Sequence, residues 1–183
     1  GINAEYGDSS MEFVKSLIKD VPDFPQKGVI FKDFGKVFGE FEAVDTLANQ
    51  LISQIKRKPT RVVILESRGY LLGTIMAYKL GVGFVVVRKQ GKLPGDCYRA
   101  SFDLEYKKGE TFELQKGILN ENDIVLIHDD VLATGGTAAA AIKLVEEAGV
   151  KRENISLCFL YAIEFLKGQE KFKDLDWFSV ISE

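Results

Sequence analysis

The chain has 183 residues, 46% hydrophobic and 28% charged, a size at which one globular domain buries roughly 70% of its unfolded surface. A net charge of −3 gives no general pull toward nucleic acid, which announces itself through a basic excess. Cys97 and Cys158 have neither a CxxC partner nor a histidine cluster beside them, which argues against a disulfide framework or a structural zinc. There is no basic-then-apolar N-terminal region and no apolar run near the roughly 20 residues that span a bilayer, so a cytoplasmic protein without a membrane partner is expected.

In chain order, an acidic helix is read over Met11–Asp20. Phe41, Val44, Ala48, Leu51, Ile52 and Ile55 then recur at helical spacing, ahead of Lys56-Arg57-Lys58-Pro59 as a cationic stop. Arg61–Leu65 is a short β-branched strand, Tyr70–Leu80 a helix closed by Gly81, and Gly83–Val87 the next strand. Between Lys89 and Lys116 the composition turns to Gly, Pro, charged and aromatic residues, an excursion from the sheet with short strands at Ser101–Tyr106 and Thr111–Gln115; a binding loop or a simple exposed hairpin would both explain it. Ile124–Ile127, Ala138–Ala148 and Ile155–Leu160 follow as strand, helix and strand. Apolar strands alternating with helices predict an α/β fold, a parallel sheet covered on both faces. No repeat or linker divides the chain, so residues 1–183 read as one domain.

The most informative stretch is Ile124-Val125-Leu126-Ile127-His128-Asp129-Asp130-Val131-Leu132-Ala133-Thr134-Gly135-Gly136-Thr137. A buried strand delivers two acids into a small-residue turn that opens a helix. Successive backbone N–H groups of Ala133–Thr137, two threonine hydroxyls and a helix N-terminus of about +0.5 charge suit a phosphate. Adjacent carboxylates suit a cation or a polyhydroxyl group, and a ribose diol answers that description. His128, the sole histidine, is read as a strand-end side chain.

From Val125 to Thr137 the chain resembles the type I phosphoribosyltransferases, whose signature for binding phosphoribosyl pyrophosphate (PRPP) is an apolar strand, an acid pair and a small-residue loop. Asp23-Phe24-Pro25 through Gly28–Asp33, Glu66–Tyr70, Arg88–Gly95 and Leu104–Tyr106 extend the resemblance over about Val21–Glu183 and narrow it to the family's adenine branch. His128 and Lys32 depart from the residues usual there, the latter replacing an arginine. The resemblance implies a mainly parallel twisted sheet flanked by helices, a small N-terminal hood at residues 21–35 and a flexible lid loop at 93–108.

It also implies roles. Asp129 and Asp130, with Ala133, Thr134, Gly135, Gly136 and Thr137, would hold PRPP or AMP. Ser67, Arg68 and Gly69 would fold over pyrophosphate, where Arg68 offers paired hydrogen bonds. Arg88, Lys89 and Lys92, a basic cluster after the second parallel strand, would neutralise phosphate charge at the carboxyl ends of the strands. Glu105 would exchange a proton near purine N7 under the closed lid, with Tyr106 packing on the site. Ile30, Phe31 and Lys32 would receive adenine, Phe31 by stacking.

The implied reaction is purine salvage: adenine and PRPP give AMP and pyrophosphate through an oxocarbenium-like transition state. Mg²⁺ would be the cofactor, bound mainly through PRPP and water with no direct protein ligand, and a homodimer the assembly. Two alternatives stay open, a phosphoribosyltransferase for another base and a catalytically silent PRPP-sensing regulator. Neither G-x-x-x-x-G-K-[ST] nor a G-x-G-x-x-G after a strand is present to support an unrelated nucleotide-binding protein.

Overall fold

The computed structural model describes residues 2–24, 27–102 and 109–183. They fall into two compact units, Gly1–Ser53 and Gln54–Glu183.

The first unit runs α1 (Ile2–Leu17), β1 (Lys19–Pro22), β2 (Ile30–Asp33), α2 (Gly35–Phe38) and α3 (Phe41–Ser53). The helix expected over Met11–Asp20 stops at Leu17, because residues 19–22 pair antiparallel with 33–30. Pro22 is incompatible with a continuing helix, and Lys32 Nζ reaches Asp20 Oδ1 across the ribbon at 2.6 Å. The apolar spacing read on α3 buries Ala43, Leu47, Ala48 and Leu51. It ends two residues short of Ile55, where Ser53 Oγ donates to the Gln50 carbonyl at 2.9 Å and competes with further helical pairing.

The second unit is an α/β sheet with helices on both faces. Its elements are β3 (Arg61–Leu65), α4 (Gly69–Leu80), β4 (Gly83–Lys89), β5 (Cys97–Ser101), β6 (Thr111–Gln115), β7 (Val125–Leu132), α5 (Gly136–Glu147), β8 (Ile155–Ala162) and β9 (Asp176–Ser182). The strand order is β5-β6-β4-β3-β7-β8-β9. From β4 to β9 all pairings are parallel, while β6 runs antiparallel to β4 and β5 to β6.

Side-chain alternation explains the layering. Val63, Leu65, Val85, Val87, Val125 and Ile127 point to one face and join Ala138, Ala141, Ile142 and Val145 of α5 in a single apolar cluster. Each such valine, leucine or isoleucine contributes roughly 1.5–3 kcal/mol when fully buried. Ile64 points to the other face and packs on α4 so closely that a Cβ on Gly73 would lie 2.9 Å from its side-chain carbons. Gly81, at φ 72°, closes α4 as expected, its N–H bonding the Ala77 and Tyr78 carbonyls.

Three boundaries differ from the sequence reading. The stretch between Lys89 and Lys116 extends the sheet as an antiparallel pair. Its first strand is Cys97–Ser101, inside the expected lid loop and ahead of the expected Ser101–Tyr106, because this register buries Ala100 beside Phe112 and Leu114. The strand expected at 124–127 continues to Leu132, carrying both acids within it. β9 had no counterpart in the sequence reading, yet its Trp177 packs against Phe159 and Phe172 at 6.5 Å.

Candidate active site

The carboxyl ends of β3, β4 and β7 bring most of the expected second-unit residues together. β7 pairs with β3 only as far as Ile64↔His128 and continues along β8 through Leu132↔Ala162. Asp129 and Asp130 therefore lie where two parallel strands part, the place where α/β sheets open a crevice. Gly69, the first residue of α4, fits under them, since a Cβ there would stand 3.4 Å from Asp129 Oδ1 and from the His128 carbonyl.

The acid pair is held in an asymmetric state. Asp129 Oδ1 accepts the Asp130 N–H at 2.8 Å. Burial first, and then the Asp130 charge, hold the Asp129 carboxyl well above the ordinary carboxylate range, partly offset by Arg68. Asp130 Oδ2 takes the Arg68 Nε at 2.9 Å, with more than half of the arginine side chain exposed. Behind them His128 is fully buried, its Nδ1 3.4 Å from Cys158 Sγ, and desolvation pushes its pKa down to about 4. His128 is therefore a buried, neutral side chain in the middle of β7 and not at a strand end as expected, because the strand continues through both acids to Leu132.

Beyond Leu132 the chain turns through Ala133–Thr137 into α5. Gly135 takes φ 84°, a left-handed conformation that glycine adopts without strain, and the Ala139 N–H already bonds the Gly135 carbonyl. The N–H groups of the first turn have no partner within the helix and carry its positive end. A cleft of about 80 Å³ lies here, lined by Asp129, Thr134, Gly135, Gly136 and Thr137 among others. A larger one, about 300 Å³, lies at the opposite, amino ends of the parallel strands beside Lys56, Asn154 and Trp177; it contains neither an acid pair nor a glycine turn, so the smaller cleft is the chemically furnished one.

The turn after β3 places Ser67 and Arg68 at the surface and Gly69 buried. Glu66 accepts from Arg88 Nε at 3.2 Å and from the Lys89 N–H at 2.7 Å. It fastens the end of β4 beside the turn. Lys89 Nζ reaches Glu110 at 3.4 Å, and Lys92 is exposed beyond Gly91. The Gly91 N–H bonds the buried Glu113 at 2.7 Å, a carboxyl that the Arg99 hydrogen bond and then this amide hold below its usual range. The basic cluster thus stands on a fixed turn.

In the first unit, Ile30 is 65% exposed, Phe31 packs edge-on against Phe24 at 5.1 Å, and Lys32 is tied to Asp20. Glu105 and Tyr106 lie outside the described residues. Sequence reasoning missed Phe102, Gly168 and Lys171. A Cβ on Gly135 would meet the Gly168 carbonyl oxygen at 2.5 Å, and one on Gly168 would collide with the Ala133 carbonyl. The only local signal was a glycine between charged residues at 167–171, too weak to link to a turn thirty residues earlier.

This arrangement can seat a monophosphate on the glycine turn, a diol on the acid pair and a second, more highly charged anion near Arg68, Arg88, Lys89 and Lys92. Comparisons with known proteins show the family. Residues 39–183 match the phosphoribosyl transferase domain family. The adenine phosphoribosyltransferase of Citrifermentans bemidjiense is 42% identical over 93% of this chain and 99% of its own. The Giardia lamblia APRTase crystal structure, complexed with 9-deazaadenine, superposes with a TM-score of 0.86 at 53% identity, covering 93% of this chain and 96% of that one. The Saccharomyces cerevisiae adenine phosphoribosyltransferase, complexed with an imino-altritol bisphosphate and adenine, gives 0.85 at 36% identity, covering 94% and 98%.

Proposed function

The chain belongs to the phosphoribosyl transferase domain family, in its adenine phosphoribosyltransferase branch, and we propose that it works in purine salvage, joining adenine to PRPP to give AMP and pyrophosphate. The observation that carries this reading is the strand-end acid pair running directly into a left-handed glycine turn at a helix N-terminus. The acids of this short segment suit a diol and the turn that follows them suits a phosphate, the two groups that a ribose 5-phosphate carries.

In this reading the N–H groups and hydroxyls of Ala133–Thr137 hold the 5-phosphate, and Asp129 and Asp130 hold the ribose hydroxyls. Ser67, Arg68, Gly69, Arg88, Lys89 and Lys92 hold pyrophosphate as the C1–oxygen bond breaks and negative charge collects on the leaving group. Adenine N9 attacks C1 through an oxocarbenium-like transition state. Glu105 accepts or returns the proton near N7, with Tyr106 packed on the closed site. Ile30 meets the adenine edge through its main chain, Phe31 stacks, and Lys32 remains with Asp20.

Mg²⁺ fits as a substrate-borne ion. The described residues include no group of three or more acids, histidines or cysteines able to hold a metal, and of the acid pair Asp130 already faces Arg68. Bound through PRPP oxygens and water, the ion supplies charge neutralisation of pyrophosphate.

Residues 1–183 work as one catalytic domain, with a hood at 21–35 and a lid at 93–108. The family match, which runs across the boundary between the two units, supports this. The working assembly is a homodimer, supported by apolar side chains exposed on and beside α4: Leu71 at 47%, Tyr78 at 87% and Phe84 at 50%. Two unbonded thiols, Cys97 and Cys158, support a cytoplasmic location.

The test compares the natural chain with Glu105→Ala for PRPP binding and for AMP formation. Turnover that collapses in the variant while PRPP still binds supports this assignment. PRPP binding without turnover in the natural chain favours the silent regulator.

A further inference from the structure

Lys171 belongs to none of the groups assigned above, yet it sits on the glycine turn. Its Nζ donates to the Thr134 carbonyl at 2.5 Å and stands 5.0 Å over the centre of the Phe102 ring. That ring in turn lies against the start of α5, where a Cβ on Gly136 would be 2.6 Å from it. Lys171 is carried by the short 3₁₀ segment Gly168–Phe172. The segment's first residue contacts the turn backbone to backbone, leaving no room for a Cβ on Gly135 or on Gly168. Its last residue, Phe172, is fully buried against Phe159. The ammonium is thus held between a carbonyl and an aromatic face by a segment anchored at both ends.

The Thr134 carbonyl and the Gly135 N–H belong to one peptide unit. Among the described residues only the Glu66–Ser67 peptide is cis, so here C=O and N–H point in opposite directions across a plane. A cation bound to the oxygen fixes that plane and directs the Gly135 N–H away from Lys171. It also draws electron density toward the oxygen, which makes the N–H a stronger donor, because hydrogen bonds in a chain polarise one another. Positive charge is added beside an anion site without an ammonium having to reach the anion.

We propose that Lys171 is a positioning residue for the substrate's 5-phosphate, acting through the Thr134–Gly135 peptide and held in place by Phe102. The inference rests on the reading of Ala133–Thr137 as the 5-phosphate loop. It separates the two anion sites: Lys171 serves the monophosphate end, whereas Arg68, Arg88, Lys89 and Lys92 serve pyrophosphate.

The experiment uses the full chain and titrates AMP and, separately, Mg-pyrophosphate into the natural protein, Lys171→Met, Lys171→Arg and Phe102→Leu, with steady-state KM values alongside. Removing a charged donor weakens AMP binding and raises KM for PRPP by about tenfold in Lys171→Met. Pyrophosphate affinity, KM for adenine and the thermal midpoint remain those of the natural chain. Lys171→Arg recovers most of the loss, and Phe102→Leu, which removes only the ring beneath the cation, weakens AMP binding about threefold. AMP affinity within twofold of the natural chain in Lys171→Met would overturn the proposal. So would equal weakening of AMP and pyrophosphate, or an arginine variant as impaired as the methionine one. Failure of the natural chain to bind AMP at all would instead remove the functional reading beneath it.

Discussion

Arg68 and Asp130 form an ion pair of 2.9 Å between the turn after β3 and the acid pair of β7. The two side chains are assigned to different parts of one substrate, the arginine to pyrophosphate and the aspartate to ribose, and they also pair with each other. On the proposed assignment, bound PRPP would replace this contact with two others. Because the arginine is more than half exposed, the pair itself adds little stability. Arg68→Gln is expected to leave the thermal midpoint unchanged and to raise KM for PRPP about tenfold or more, the usual loss of a charge-assisted contact to phosphate. Initial-rate kinetics at saturating adenine check this, and an unaltered KM would remove Arg68 from the pyrophosphate site.

The buried Asp129 carboxyl is costly to the fold. Its folded pKa is raised by burial and by Asp130, so whatever stability it contributes belongs to the protonated form and is lost as pH rises through the raised value. At pH 7, above the range in which a free carboxyl ionises, the raised value opposes folding. Asp129→Asn keeps an oxygen for the Asp130 N–H and removes the charge, so the variant is expected to melt higher than the natural chain at neutral pH while binding PRPP more weakly, a trade of stability against function. Thermal melts with and without Mg-PRPP measure both effects; a lower melting point for ligand-free Asp129→Asn would contradict it.

His128 sets a second pH dependence, of opposite form. Its folded pKa of about 4 lies below the roughly 6.5 of a free imidazole. Its contribution to stability is complete above that free value and is lost as pH falls toward 4, as the unfolded chain takes up a proton that the buried ring refuses. The loss amounts to about 3 kcal/mol over this window. Urea unfolding between pH 4 and 7 should show the slope in the natural chain and a much flatter profile in His128→Val. Equal slopes would mean that the ring is protonated in the fold.

Gly168 should be intolerant of any side chain. A Cβ there strikes the Ala133 carbonyl and crowds Gly135 N, and both are backbone atoms that cannot swing aside. Gly168→Ala is expected to cost about 1–3 kcal/mol, as overpacking does, and to weaken AMP binding because the displaced atoms form the turn. Chemical denaturation and AMP titration of this variant read the two effects; natural-like values in both would show that the segment is not in contact with the turn in solution.

Legibility in the sequence followed the range of each interaction. The strand–acid pair–glycine turn of 125–137 was readable because every part of its function lies within thirteen consecutive residues. The Arg61–Leu65 and Gly83–Val87 strands were readable from unbroken β-branched runs. Gly168 and Lys171 were not, since their meaning arises from contact with residues 133–136, and nothing local distinguishes a lysine over a carbonyl from a solvated one. The extension of β7 past Ile127 was hidden because two aspartates depress strand propensity, while pairing with β8 overrides it. Cys97–Ser101 escaped notice for a related reason: its core-facing residues are Tyr98 and Ala100, a weak apolar alternation that becomes a strand only beside Thr111–Gln115.

The most direct measurement is pyrophosphate release from Mg-PRPP with adenine, hypoxanthine, guanine or orotate supplied singly. Turnover is expected with adenine, none of similar efficiency with the other three, and loss of the adenine rate in Glu105→Ala. Comparable or faster turnover with another base, or none with adenine, would contradict the adenine assignment.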